Sequence, residues 1–534
     1  MATHGDDSHN TRRKFITRGA ALVAAGAAGA ALPTLPVLAR NLSDEDVLEA
    51  AAAAAGTCPS TPSYRRPNLQ GAKGSSALAD LRKAVTAMLA LPPEDPRNWY
   101  RQAMIHVLDC PHGNAWFFSW HRAYLYYFER IVRKFSNNPQ FALPYWDWTV
   151  TPEMPAAFFR GDVLDTQASG YIHDFATFDS KFRGPMQAYW AGLNTVQRQQ
   201  LQLRGMADFN AFWATMQGYF NRPTRRLLSA DNRQFTGATL QAVSYPTLVN
   251  AMSSSDFTVF GGSLVPNHSD MTGVPGMVES QPHNLVHDAV GGYMGDFFAG
   301  VDPIFWLHHA NVDRLWDVWW FELGGIMTPM YSATPWIVEN FTFFCDENGS
   351  PVAGNLMLNS NYVGSGSLNY DYQPSAPLAT LPSRPANATW PATFPMQLQS
   401  TALAINGSVT SVVEPGADAC NAFDQDYQTA IVIDMDRPVD QSAWRFNFEI
   451  QVDGTSFSAK PCGSTAFFGT MGMADPNMSQ RCQLKLGIAS GMRQCLDEAG
   501  AGAHRFAITV RAEPVGSTLP TQVLNIYGTT LVSL

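Results

Sequence analysis

Between Tyr64 and Phe135 apolar residues return at every third or fourth position, the spacing of helices with one buried face. SSALADLRKAVTAMLAL (75–91) predicts one helix, with Ser75 or Ser76 placed to cap it, and HRAYLYYFERIVRKF (121–135) predicts another. LPYWDWT (143–149) is a short aromatic segment, and residues 151–260 read as helices and loops decorating a core. Two more helices are expected in QPHNLVHDAV (281–290) and DPIFWLHHANVDRLWDVWWFEL (302–323), the second with Asp302 at its N-cap and Pro303 in its first turn. Beyond about residue 345 the pattern changes. Pro, Ser, Thr, Gly and Asn become frequent, and apolar and polar positions alternate in QTAIVIDMD, AWRFNFEIQVDG, HRFAITVRAEP and TQVLNIYGTTLVSL, the period of strands with one buried face. The expected architecture is a mainly α core at 60–375, a Pro-rich linker at 376–400 and an all-β, sandwich-like C-terminal unit at 401–534.

Composition narrows the class. The chain has 534 residues, 46% hydrophobic and only 15% charged, enough to bury a large core. A net charge of −10 argues against nucleic acid as a partner, because phosphate binding needs a basic surface. No apolar run after the N-terminal segment is long enough for a membrane span. TRRKFIT (11–17), an Ala- and Gly-rich apolar stretch and PVLAR (36–40) follow in the order of a twin-arginine export signal over residues 1–39. The expected location is therefore periplasmic or secreted, where disulfides are permitted. Cys58, Cys110, Cys345, Cys420, Cys462, Cys482 and Cys495 are odd in number, so at least one is left out of any pairing. An Ala-rich helical stretch, DEDVLEAAAAAAG (44–56), follows the signal.

The 12 histidines are unevenly placed. His106, His112 and His121 fall close together, and His283, His287, His308 and His309 form a second cluster. His283 and His287 are four apart and project from one helix face, a spacing that suits two ligands on one metal. Two groups of imidazoles without an obvious carboxylate ligand fit neither calcium or magnesium nor a di-iron carboxylate site, and they favour copper.

HGNAWFFSWHRAYLYYFER (112–130), PYWDW, PHNLVH and DPIFWLHHANVDRLW, with YRRPNL (64–69) and YDY (370–372), resemble the tyrosinase family of type 3 copper proteins: tyrosinases, catechol oxidases and molluscan haemocyanins. The resemblance implies a four-helix bundle holding two copper ions. It places His106, His112 and His121 on one copper and His283, His287 and His309 on the other, with His308 beside them as a supporting residue. It implies a thioether between Cys110 and His112, which would leave six cysteines for disulfides. It gives Glu279 and Asn284 the task of holding a water that takes the phenol proton, and makes Phe297, or its neighbour Phe298, an aromatic gate. Asp313 is expected to anchor helices through Arg314 or a ligand imidazole. WFFSW and WDVWWFEL read as core packing. The β-rich unit resembles a cover over the active site, for which STAFFGTMG (464–472) offers apolar plugs such as Phe467, with an oligomer contact as the alternative use of the same unit.

The activity so implied is O2-dependent hydroxylation of monophenols and oxidation of o-diphenols to o-quinones, with phenols, catechols and O2 as small-molecule partners. A catechol or o-aminophenol oxidase without monophenol hydroxylation is the alternative. An oxygen carrier is disfavoured by the single core and the export signal. Oligomerisation is left open.

Overall fold

The computed structural model describes residues 62–254, 256–327, 330, 334–375, 393–415, 429–438, 443–467, 481–500, 502–515 and 519–533. The export signal, the Ala-rich stretch, Cys58, Cys420 and residues 376–392 of the expected linker lie outside them.

The core opens with β1 (Tyr64–Arg66), followed by α1 (Ala72–Ala90), α2 (Trp99–Asp109) and α3 (Phe117–Ser136). In α1 the buried side chains Leu78, Leu81, Val85 and Met88 keep the helical spacing read from sequence. The helix starts earlier than Ser75. A Cβ on Gly74 would meet the Asn68 carbonyl at 2.1 Å, so only glycine lets the first turn press on that loop. Ser75 and Ser76 therefore bond back to the Leu69 and Lys73 carbonyls instead of capping. Asn98 caps α2 by accepting from the Tyr100 and Arg101 amides. α3 stops at Asn137, whose left-handed φ of 57° closes the last turn.

Six helices then wrap the core: α4 (Phe175–Ala191), α5 (Thr195–Leu203), α6 (Phe209–Phe220), α7 (Gly237–Ala242), α8 (Tyr245–Ser253) and α9 (Phe257–Phe260). A π-helical turn (Glu279–His283) leads into α10 (Asn284–Val290), and α11 (Pro303–Asp317) runs on into a second π turn (Val318–Glu322). Asp302 caps α11 through the Ile304 amide, and Arg226 holds the same carboxylate at 2.7 and 2.6 Å. α12 (Thr334–Val338) follows.

Packing among α2, α3 and α11 is aromatic. Phe128 stacks on Trp306 at 3.6 Å, and Trp99, Trp116, Trp120, Trp306 and Trp316 are fully buried. β2 (Tyr370–Tyr372) pairs in parallel with β1, Tyr64 opposite Tyr370, and joins the two ends of the core. That pairing places Tyr370 and Tyr372 over Asp313. Asp313 accepts from both phenols, from Arg66 Nη1 at 3.1 Å and from Arg122 Nε at 2.6 Å. The anchor expected at Asp313 is thus made with Arg66 and Arg122, while Arg314 lies 3.4 Å from Asp147.

The C-terminal unit has two antiparallel layers with their own apolar core. One is ordered β10 (Arg481–Gly487), β7 (Thr429–Asp436), β12 (Val523–Ser533) and β3 (Thr393–Pro395), with β5 (Ala402–Ala404) also on β12. The other is ordered β4 (Gln397–Leu398), β6 (Ser408–Val413), β11 (Phe506–Pro514), β8 (Trp444–Val452) and β9 (Lys460–Ala466). Trp444, Phe446, Phe448, Ile450 and Val452 face inward on β8, as strict alternation requires.

Two expectations change. β3 and β4 fall inside the stretch read as linker, because a Pro-rich composition does not exclude short edge strands. The unit also carries a helix, α13 (Ala489–Ala499), whose Met492, Cys495 and Leu496 share a buried face and which stops at Gly500. Among the described residues there is no disulfide. Cys110, Cys345, Cys462, Cys482 and Cys495 are buried thiols.

Candidate metal centre

Four helices, one π turn and one loop carry the histidines to a common point. α2 supplies His106, the loop after it His112, α3 His121, the π turn ahead of α10 His283, α10 His287, and α11 His309. All six are buried.

The Nε2 atoms of His106 and His121 lie 3.2 Å apart. Those of His283 and His309 lie 3.4 Å apart, and those of His287 and His309 3.3 Å. Three imidazoles on one ion at a bond of about 2.0–2.1 Å in tetrahedral geometry have nitrogens about 3.3 Å apart. The spacing is that of ligands gathered around an ion, since unprotonated nitrogens cannot bond to one another. His112 completes the first set, its ring 5.5 Å from that of His106 and 5.3 Å from that of His121. The two sets adjoin. His121 stacks on His309 at 4.2 Å, and His112 faces His283 at 5.5 Å.

In five of the six rings the far side decides which nitrogen is free for metal, while Nδ1 of His309 is buried without a hydrogen-bond partner. Nδ1 of His106 donates to the Phe297 carbonyl at 2.7 Å, that of His121 to the Phe117 carbonyl at 2.7 Å, and that of His287 to the Met294 carbonyl at 2.6 Å. Nδ1 of His283 meets Asn284 Oδ1 at 2.7 Å, and Nδ1 of His112 meets Glu279 Oε1 at 3.0 Å. With the proton held on Nδ1, the Nε2 lone pair points inward. Burial keeps the rings neutral. It pushes His106 and His283 down to about 3 and holds His112, His121, His287 and His309 well below the ordinary histidine value.

His308 groups with His283, His287 and His309 by proximity. Its chemistry separates it. Trp148 Nε1–H donates to His308 Nδ1 at 3.2 Å, so in the neutral ring the proton sits on Nε2 and no lone pair there faces the ion. The PYWDW segment thus fixes the tautomer of a histidine beside the site, a role its sequence did not reveal.

The remaining expected residues gather at the entrance. His112, Glu279, Asn284 and Phe297 line one cavity, and Arg437, Phe467 and Cys482 of the C-terminal unit close it from the other side. Glu279 Oε1 accepts from His112 and from the Gly113 amide at 2.8 Å, whereas Oε2 is buried without a hydrogen-bond partner. Burial pushes the Glu279 carboxyl up to about 8, against the pull of the Gly113 N–H. Asn284 does not face an open site. Its Oδ1 holds His283 and its Nδ2 donates to the Ala466 carbonyl of β9 at 2.6 Å. Of the two candidate gate residues, Phe297 packs on His112 and His106 at 5.4 and 6.0 Å. Phe298 turns away into Tyr100, Phe178 and Tyr219.

Cys110 lies below the first set, grouped with His106 and His112, and Arg204 donates to its carbonyl at 2.9 Å. Arg204 had no sequence signal, because it stands in an unpatterned stretch. WFFSW is only partly core. Phe117 packs on His121 at 4.8 Å and on His283 at 4.9 Å, so it forms part of the site wall.

Comparison with known proteins agrees with this geometry. Residues 95–321 match the common central domain of tyrosinase, and all six converging histidines fall inside that range. The chain is 26% identical over 454 residues to the latent form of a polyphenol oxidase from Prunus armeniaca, covering 79% of this chain and 68% of the relative. It is 30% identical over 343 residues to a tyrosinase from Hahella sp., covering 57% of this chain and 62% of that protein's length. It spans 46% of the length of a polyphenol oxidase from Vitis vinifera. In fold it is similar to a latent aurone synthase (TM-score 0.57, 21% identity, 90% of this chain and 92% of that one). It is likewise similar to latent apple tyrosinase (TM-score 0.54, 21% identity, 90% and 98%). With that match and its histidines arranged for two metal ions, residues 95–321 are a tyrosinase central domain, whose centre is dicopper.

Proposed function

We propose that this type 3 copper oxidase uses O2 to hydroxylate monophenols and to oxidise o-diphenols to o-quinones. The observation that carries the reading is the convergence of two three-histidine sets beneath a cavity with an unpaired carboxylate oxygen. Copper bound by His106, His112 and His121 and by His283, His287 and His309 would supply the redox chemistry with O2. The chain's own residues do the rest. Phe297 limits the space above His112 to a flat ring. Glu279 Oε2 takes the phenol proton, directly or through one water. Its other oxygen fixes His112, so the base and a ligand keep one geometry. A thioether between Cys110 and His112 would lock that ring further. Phe467 fills the entrance, and the C-terminal unit acts as a lid over a latent enzyme. Export by the twin-arginine route, which carries folded proteins, allows copper to be inserted beforehand.

One observation favours the narrower catechol oxidase reading. Both ends of the Asn284 amide are engaged, one by His283 and one by Ala466, so with the lid in place it has little left for a water. Oxygen uptake by copper-loaded protein, with a catechol and with a monophenol, before and after limited proteolysis within 376–392, tests both. Quinone from both substrates supports the full reaction. Quinone from catechol alone, even after cutting, leaves the narrower activity. Reversible O2 binding without turnover refutes the enzyme.

A further inference from the structure

Cys482 stands apart from the other described cysteines. Cys462, Cys482 and Cys495 all belong to the C-terminal apolar core, Cys345 packs in the helical core, and Cys110 lies under His112 against Arg204. Cys482 sits on β10 opposite Met435 of β7 and lines the entrance cavity. Across the cavity are His112, Phe297 and Glu279, whose Oε2 is buried, unpartnered and part of the same lining. That oxygen marks where a polar ligand sits, and Cys482 lines the same cavity. Sγ makes one weak contact, 3.7 Å from the Asp436 carbonyl.

We propose that Cys482 is a covalent acceptor for the enzyme's own o-quinone product, a self-modification site on the lid. The inference rests on the quinone-forming reading above. A quinone released from the histidine wall enters the cavity that Cys482 lines. Sulfur supplies the electron pair of a new C–S bond to the ring. The thiol proton ends on one quinone oxygen, and the ring proton displaced on rearomatisation ends on the other. A thiol and a quinone thus give an S-aryl catechol, with no further oxidant or reductant. Burial pushes the Cys482 thiol up to about 12, against the pull of the Arg437 guanidinium. Only a strong electrophile reacts at so low a thiolate fraction, and an o-quinone is one. The adduct leaves an aromatic ring in the cavity that substrate must enter, so turnover by the full chain limits itself.

The test uses the full-length, copper-loaded protein in two arms, followed by peptide mass mapping. In the first, 4-methylcatechol is turned over in air. In the second, preformed 4-methyl-o-benzoquinone is added under argon. The expected result in both is one quinone mass on the peptide containing Cys482, with Cys345, Cys462 and Cys495 unmodified. Cys482→Ser and Cys482→Ala should each consume several-fold more oxygen before activity stops. Turnover that runs to inactivation with Cys482 unlabelled overturns the proposal, whether or not the variants fold, and so does a Cys482 that preformed quinone leaves untouched. No oxygen uptake with catechol, either by the full chain or after cutting within 376–392, refutes the functional reading instead, and the preformed-quinone arm still judges the thiol.

Discussion

His268 offers a test of electrostatics away from the copper ligands. It is fully buried between two carboxylates, with Nε2 2.8 Å from Asp109 Oδ1 and Nδ1 2.6 Å from Glu339 Oε1. Burial alone would discharge the ring, but the two carboxylates outweigh it and raise His268 from 6.5 to about 9. A folded-state value above the unfolded one means that folding stabilises the protonated form. That contribution is complete below about pH 6.5 and is lost as pH rises through about 9. A shift of this size corresponds to about 3 kcal/mol, at about 1.4 kcal/mol per pH unit. Asp109 also accepts from Trp120 Nε1 at 2.8 Å, and the Trp120 ring packs on His121 at 5.0 Å. Loss of the charge should therefore loosen the wall behind the first copper. Urea midpoints of copper-loaded wild type and His268→Gln, followed by tryptophan fluorescence from pH 6 to pH 10, measure the effect. The wild type should lose about 3 kcal/mol of its advantage over the variant across that range. Parallel stability curves would show that His268 does not carry the proton, and the argument would fail.

Three further outcomes follow from the geometry. His309→Gln should bind about one copper per chain where His308→Gln binds two, measured by atomic absorption after dialysis; equal loss in both would undo the tautomer assigned through Trp148. Asp313→Asn leaves Arg66 and Arg122 buried with one carboxylate fewer, and should cost about 3–5 kcal/mol in urea unfolding; a cost under about 1 kcal/mol would mean the knot adds little beyond packing. Phe467→Gly should bring catechol oxidation by the uncut chain most of the way to that of the cleaved chain, and an unchanged rate would remove Phe467 as the plug.

The metal site was legible because its ligands sit in rigid local contexts. His283 and His287 needed only helical spacing, the helix whose start Asp302 and Pro303 announce offered the His308/His309 pair, and the family resemblance chose His309 between them. Asp313 was singled out, but its partners were not. Arg66 and Tyr372 reach it from opposite ends of the core, through a parallel pairing of three residues a side that no local pattern encodes. α13 was missed although Met492, Cys495 and Leu496 keep helical spacing ahead of Gly500, because the surrounding alternation reads as strand. Phe297 could not be told from Phe298 by position, since adjacent aromatics on an irregular turn point to opposite sides.

What the sequence hid most completely is that the C-terminal unit hydrogen-bonds to the turn that carries part of the metal site. The turn Glu279–His283 is π-helical, a wider turn that often marks functional sites, and it contains Pro282, which has no N–H to give a helix. It sits directly under β9 and β10. Thr465 donates to the Ser280 carbonyl at 2.7 Å, Ser280 donates to the Lys485 carbonyl at 3.3 Å, and Asn284 donates to Ala466. Glu279 begins this turn and His283 ends it, so the proposed base and a proposed copper ligand are both set by a segment the C-terminal unit grips. A lid that only plugged the entrance would leave the chemistry beneath it unchanged. A lid bonded to this turn also fixes the orientation of Asn284, and through Asn284 Oδ1 the ring of His283. Opening it therefore changes the hydrogen bonding of the site as well as access to it, which is why monophenol and catechol turnover must be compared on the same chain in both states.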